Sequence, residues 1–186
     1  EDLAMTTYEA DPEADAVVLY DYGNLTFDIL PNGPIYTLTR TKRIKILNAT
    51  AFDKGNITIS YYKDNKTKLI LKAHVFQPDG KETSVTKKEI FDEKIYRNWH
   101  QKRVAMPDIT KGCVIEYTYK KTSPYLTQLP TWYFQEDIPV RTSELRTRVP
   151  AWFEYARLLQ GQQKLSVSES ELGNVNISGG SVEGLV

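Results

Sequence analysis

The sequence predicts an all-β protein, an antiparallel β-sandwich or rolled sheet of about ten or more strands. Three observations predict it. Short runs rich in Val, Ile, Thr and Tyr recur along most of the 186 residues, separated by turn residues roughly every 8 to 12 positions. Several runs alternate apolar and polar side chains, the period of a half-buried strand. The chain also carries 12 Tyr, 6 Phe and 3 Trp, residue types that pleated surfaces favour.

Residues 1–13 form an acidic lead-in. Asp11-Pro12-Glu13-Ala14-Asp15 has half the spacing of a calcium loop but lacks its central Gly and closing Glu, so it reads as solvated chain. Ala16 to Tyr20 is a short strand, Asp21-Tyr22-Gly23-Asn24 a turn, and Leu25 to Leu30 the return of a hairpin. Pro31-Asn32-Gly33-Pro34 turns the chain into a long strand from Ile35 to Leu47. Within it Arg40, Lys42, Arg43 and Lys45 form a dense basic run. Their charges fall on both faces without interleaved aromatics, which reads as a solvated strand and not as a nucleic-acid patch.

Phe52-Asp53-Lys54-Gly55 breaks the pattern before Asn56 to Tyr62, where Ile57, Ile59 and Tyr61 share a face. Asp64-Asn65 leads to Thr67 to Gln77, with Leu69, Leu71, Ala73 and Val75 inward and Lys72 and His74 outward; Pro78-Asp79-Gly80-Lys81 then makes a hairpin into Glu82 to Thr86. Lys87 to Gln101 has mixed spacing that fits a short helix or a loop. The next stretch, Met106 to Tyr119, organises the rest: Pro107, Asp108 and Gly112 bracket a tight turn. Cys113 to Tyr119 is then apolar on both faces, as a strand deep in a sheet requires. Trp132 to Gln135 with Ile138 to Val140, and Arg141 to Val149, supply two more strands around a proline edge, and Ala151 to Gln160 is a last candidate. Residues 14–160 thus make the β domain. The Gln-, Ser-, Gly-rich residues 161–186 are closing strands or the start of a linker to a following domain.

Lys+Arg and Asp+Glu are balanced at 24 each, so no field draws in a polyanion, and a nucleic-acid partner is not expected. No run of about 18 apolar residues is present, so no membrane span is expected. The single cysteine, Cys113, leaves the compartment undecided. Asn24, Asn48, Asn56, Asn65 and Asn176 stand in Asn-x-Ser/Thr sequons, which would be glycan sites in a secreted eukaryotic chain and in a bacterial one reflect only the fitness of Asn and Thr for turns and strands, the reading preferred here.

No catalytic, cofactor-binding or metal-binding residues emerge. A cysteine nucleophile needs an activating His, and both His74 and His100 precede Cys113, which opens a strand and reads as a small buried apolar residue. Positions 74, 100 and 113 match no compact zinc spacing. Glu116 and Glu136 are available as a carboxylate pair, although nothing selects them over the other acids. Trp99, Tyr125, Trp132, Tyr133 and Trp152 are the candidates for an interaction surface, because aromatic faces stack on sugar rings or an extended peptide.

A set of ordered motifs carries a family resemblance. These are Ala14 to Asp21, Arg43 to Leu47, Ala105-Met106-Pro107-Asp108 with Gly112 to Tyr117, and Trp132 to Gln135 with Pro139-Val140 and Ser143-Glu144. Together, over about residues 14–155, they resemble the N-terminal domain of unknown function that precedes transglutaminase-like, cysteine-protease-related domains in exported proteins of Gram-negative bacteria. Where that family has Asp before Val-Ile-Glu-Tyr, this chain has Cys113, which argues against a family-wide catalytic role there. The resemblance implies a noncatalytic accessory domain in the periplasm or at the cell surface. Its expected partner is a downstream transglutaminase-like domain in the same chain. It supplies no catalytic residues.

Overall fold

The computed structural model describes residues 2–150, 153, 155–156, 158–161, 164–177 and 180–185. Among these, eleven strands are present: β1 (Ala16–Leu30), β2 (Gly33–Ile46), β3 (Asn56–Tyr62), β4 (Lys68–Phe76), β5 (Glu82–Ser84), β6 (Phe91–Tyr96), β7 (Trp99–Ala105), β8 (Val114–Ser123), β9 (Ser143–Pro150), β10 (Leu172–Ile177) and β11 (Gly180–Leu185). Eight of them form one sheet in the order β10-β11-β9-β1-β2-β8-β4-β5, and β3-β7-β6 form a second. The protein is all-β and its sheets are open. One pairing departs from the antiparallel expectation: β1 and β9 run parallel from Asp21 opposite Ser143 to Thr26 opposite Arg148.

Side-chain alternation decides what each strand buries. Leu69, Leu71, Ala73 and Val75 of β4 enter the core while Lys72 stays outside, as the sequence pattern requires. β8 is hydrogen-bonded to β2 on one edge and β4 on the other, which explains why Val114 and Ile115 are both fully covered. The inner face of the large sheet packs against Ile57, Tyr61 and Val104 of the small one in a single core. Each large aliphatic side chain there contributes roughly 1.5–3 kcal/mol by leaving water. On the outer face, Val17, Leu19, Leu47 and Val114 are capped by Leu3, Met5 and Tyr8, so the lead-in is packed chain and not a solvated tail.

Four sequence expectations differ from the structure. Asp21 to Asn24 do not turn: β1 continues for 15 residues because β2 and β9 hold both its edges. The stretch read as helix or loop opens with a single 3-10 turn, Lys87–Glu89, and continues as the β6–β7 hairpin, whose period is hidden by a bulge between Lys94 and Tyr96. Trp132 to Val140 forms no strand. It is an irregular strap whose one ladder contact is a parallel bridge from Val140 to Val18. Of the last strand candidate, the described residues 153–160 are not in a strand, whereas β11 pairs with β9 and β10 with β11, so the pair extends the large sheet at that edge.

Candidate functional site

Two of the four cations in the basic run of β2, Lys42 and Lys45, are buried, and Arg40 and Arg43 are half-buried. Tyr36, Leu38, Ile44 and Ile46 point into the core, so Arg40 and Lys42, at the same parity, must point there too. Lys42 is only 4% exposed. Cations in an apolar interior need partners. A bulge between Val18 and Tyr20 switches the sidedness of β1 and aims Asp21, 2% exposed, at the same place. Arg40 clasps Asp21 with two donors, Nε to Oδ1 at 2.7 Å and Nη2 to Oδ2. Burial disfavours the Arg40 cation, but the hydrogen bonds and charge of Asp21 more than offset this and raise its pKa.

The strap supplies the rest. Glu136 pairs with Lys42 and lies 3.7 Å from Arg40, while the Trp132 ring sits 4.5 Å from the Arg40 guanidinium. Trp132 donates its indole N–H to Ser143. Backbone bonds tie the strap to β1: Val18 N–H to Pro139 O, Arg141 N–H to Val18 O and Asp21 N–H to Thr142 O. Two cations and two carboxylates saturate one another. The arrangement is a clasp and offers no reactive group.

The other two basic residues of the run face outward and are equally engaged. Lys45 is fully buried, its ammonium donating to the carbonyls of Leu3 and Gly112, and burial pushes its pKa down. Arg43 Nε lies 3.2 Å from Glu116, whose carboxylate also accepts from the Tyr20 hydroxyl. Burial and that bond push the Tyr20 pKa up to about 12. The basic run is therefore structural and not a solvated stripe.

Cys113 is fully buried on the inner face, and burial raises its thiol pKa. His74 bonds Glu82 and Ser84, and His100 bonds Asp92, so neither histidine is joined to the thiol. Glu116 and Glu136 lie on opposite faces of the large sheet and cannot flank one bond. Among the described residues no group of three His, Cys, Asp or Glu could hold a metal ion. The most densely bonded carboxylate of the small sheet is Asp92, which accepts from Tyr61, Lys63 and His100. Burial opposes its charge, yet these donors prevail and lower its pKa to about 2.

The five aromatic candidates do not form one platform. Trp99 and Tyr125 come together through Tyr62, which meets them edge-on with ring centroids 5.9 and 5.2 Å away. Trp132 is half-buried in the clasp, Tyr133 stands exposed on the strap, and Trp152 lies outside the described residues. Tyr62 carried no signal in the sequence, because only the pairing of β3 with β7 sets it opposite Trp99.

Residues 36–176 match the family model described as a Domain of Unknown Function with solved-structure structure, DUF3857. The chain belongs to the DUF3857 family. The matched stretch contains Arg40, Lys42, Trp132 and Glu136 of the clasp, while Asp21 comes from β1, which precedes it in this DUF3857 domain. Among solved structures, the domain is similar to a crystal structure from Parabacteroides distasonis described as a "putative protease", with a TM-score of 0.66 and 16% identity. That likeness shows a shared fold and covers 92% of this chain but 35% of the other. No curated protein matches the DUF3857 domain, and no helix among its described residues is long and apolar enough to cross a membrane.

Proposed function

We propose that this chain is a noncatalytic accessory domain of an exported protein, positioning a transglutaminase-like domain that follows it or that domain's substrate. The observation that carries the reading is one of proportion: nearly the whole chain corresponds to about a third of a longer protein described as a putative protease. The chemistry of the interior agrees with it. The inner charges Asp21, Arg40, Lys42 and Glu136 are consumed by one another, and the one thiol is sealed beneath β8. The family resemblance supplies the export and the transglutaminase-like partner. The test is an assay of the purified chain for peptidase, amide-crosslinking and glycosidase turnover, for which the expected result is none. Turnover that survives clean preparation and disappears in Cys113→Ser would overturn the reading. So would a parent polypeptide without a Cys, His, Asp set beyond residue 186.

A further inference from the structure

One end of the space between the two sheets is bordered by the rings of Trp99, Tyr62 and Tyr125, and behind them lies a shallow recess lined in part by Lys121. Lys121 stands on β8 opposite Leu38 of β2 and Leu69 of β4, both core residues, so its stem leaves the same apolar face. Arg40 and Lys42, the other cations of that face, each hold a carboxylate. Lys121 has no ion pair or hydrogen-bond partner for its ammonium among the described residues. Burial lowers its pKa with no acid opposing the shift. A partly desolvated cation without a counter-charge is unfavourable in itself and gains most from an anion delivered from outside.

We infer that this corner binds an acidic saccharide, Lys121 pairing with the carboxylate of a uronic acid residue while Trp99 and Tyr125 pack on its ring. Size fixes the pose. The recess encloses about 20 Å³, space for one or two water-sized groups, so a carboxylate enters and the ring stays outside against the indole. Trp99 and Tyr125 are 41% and 38% exposed, available for that contact. The rings are held in place beforehand: Tyr125 donates its hydroxyl to Asp64 at 2.6 Å, and Tyr62 accepts from Asn98 at 3.0 Å, which leaves the Tyr62 proton for a sugar hydroxyl. Asp64 is committed to Tyr125 and to the backbone N–H groups of Lys66 and Thr67. Among the described residues β3 has no strand on its other edge, so an acidic peptide is the competing occupant that the test includes.

The site needs no second domain, so its failure would leave the accessory reading standing. The test is calorimetric titration of the chain with tetragalacturonate, maltotetraose and tetraglutamate, alongside NMR of the Trp indole signals. Tetragalacturonate is expected to bind and to move the Trp99 indole resonance, with maltotetraose at least ten-fold weaker. Lys121→Gln should reduce tetragalacturonate binding about ten-fold and Trp99→Ala should abolish it, each variant keeping the dispersed NMR spectrum of the folded chain. Because Lys121 is half-buried, Lys121→Met provides a second variant that keeps the stem packed. No binding at millimolar tetragalacturonate, equal affinity for the neutral sugar, preference for tetraglutamate, or full affinity in Lys121→Met would each overturn the inference.

Discussion

Trp132 lies so close over Gly23 that a Cβ on that glycine would come within 2.4 Å of the indole ring. The strap therefore rests on β1 at a point where the strand must lack a side chain. Gly23→Ala should force the ring or the strand to shift, at about 1–3 kcal/mol for overpacking a filled site. Urea unfolding would register this as a lowered midpoint, and a wild-type midpoint would show that the strap moves freely.

The clasp beneath Trp132 predicts an asymmetric pattern of losses. Asp21→Ala leaves the Arg40 guanidinium buried beside Glu136 alone, and removing one partner of a buried pair costs about 3–5 kcal/mol. Adding Arg40→Ala to it should cost far less than the two single changes summed, because the orphaned charge leaves with its partner. Lys54→Ala breaks the pair with largely exposed Asp137 and should cost under about 1 kcal/mol. Equilibrium unfolding of the four variants checks the pattern.

That clasp also marks the boundary of what the sequence discloses. The strands of β4 and β8 and the turns at Pro31-Asn32 and Pro78-Gly80 are legible, because local period and turn chemistry agree with the tertiary pairing. Asp21 is not legible as a buried anion: its sidedness depends on a one-residue bulge that pattern counting passes over. Likewise Lys42 and Glu136 are 94 residues apart, and nothing local ties a charge on a strand to one on a strap. The bulge before Tyr96 hid β6 in the same manner, and with it the neighbours of Trp99. The aromatic candidates were visible as residues, whereas their division between a clasp, an exposed strap and an open corner is a property of topology.

Cys113 should resist thiol reagents in the native protein. It is fully buried and its thiol pKa is raised, so little thiolate exists and none is reachable. A chromogenic disulfide reagent should react with one thiol per chain only after denaturation. Rapid labelling at neutral pH would contradict the sealed position.

Asp92 predicts an acid-sensitive segment in the stability curve. Its folded pKa of about 2 lies below the ordinary carboxylate value, so it favours the folded state above about pH 4 and loses that contribution as pH falls toward 2. The side chain is 32% exposed, which reduces the contribution to about 1 kcal/mol after solvent screening. Asp92→Asn should lower stability at pH 7 by that amount and flatten the slope between pH 4 and 2. A parallel downward shift at every pH would assign the loss to packing instead.

The strap offers the surface on which the accessory reading can be tested directly. Trp132 and Phe134 are half-buried and meet with ring centroids 6.4 Å apart, while Tyr133 between them is 65% exposed. Its neighbours are fixed: Trp132 by Ser143 and Arg40, Pro139 by Val18. An exposed aromatic on a rigid support loses little entropy on contact, which suits it to a docking role. If the strap meets a following domain, amide exchange across residues 131–140 should be slower in the full polypeptide than in this chain alone. Tyr133→Ser should remove that difference while leaving the isolated chain's unfolding unchanged. Equal protection in both forms would remove the strap as the docking surface.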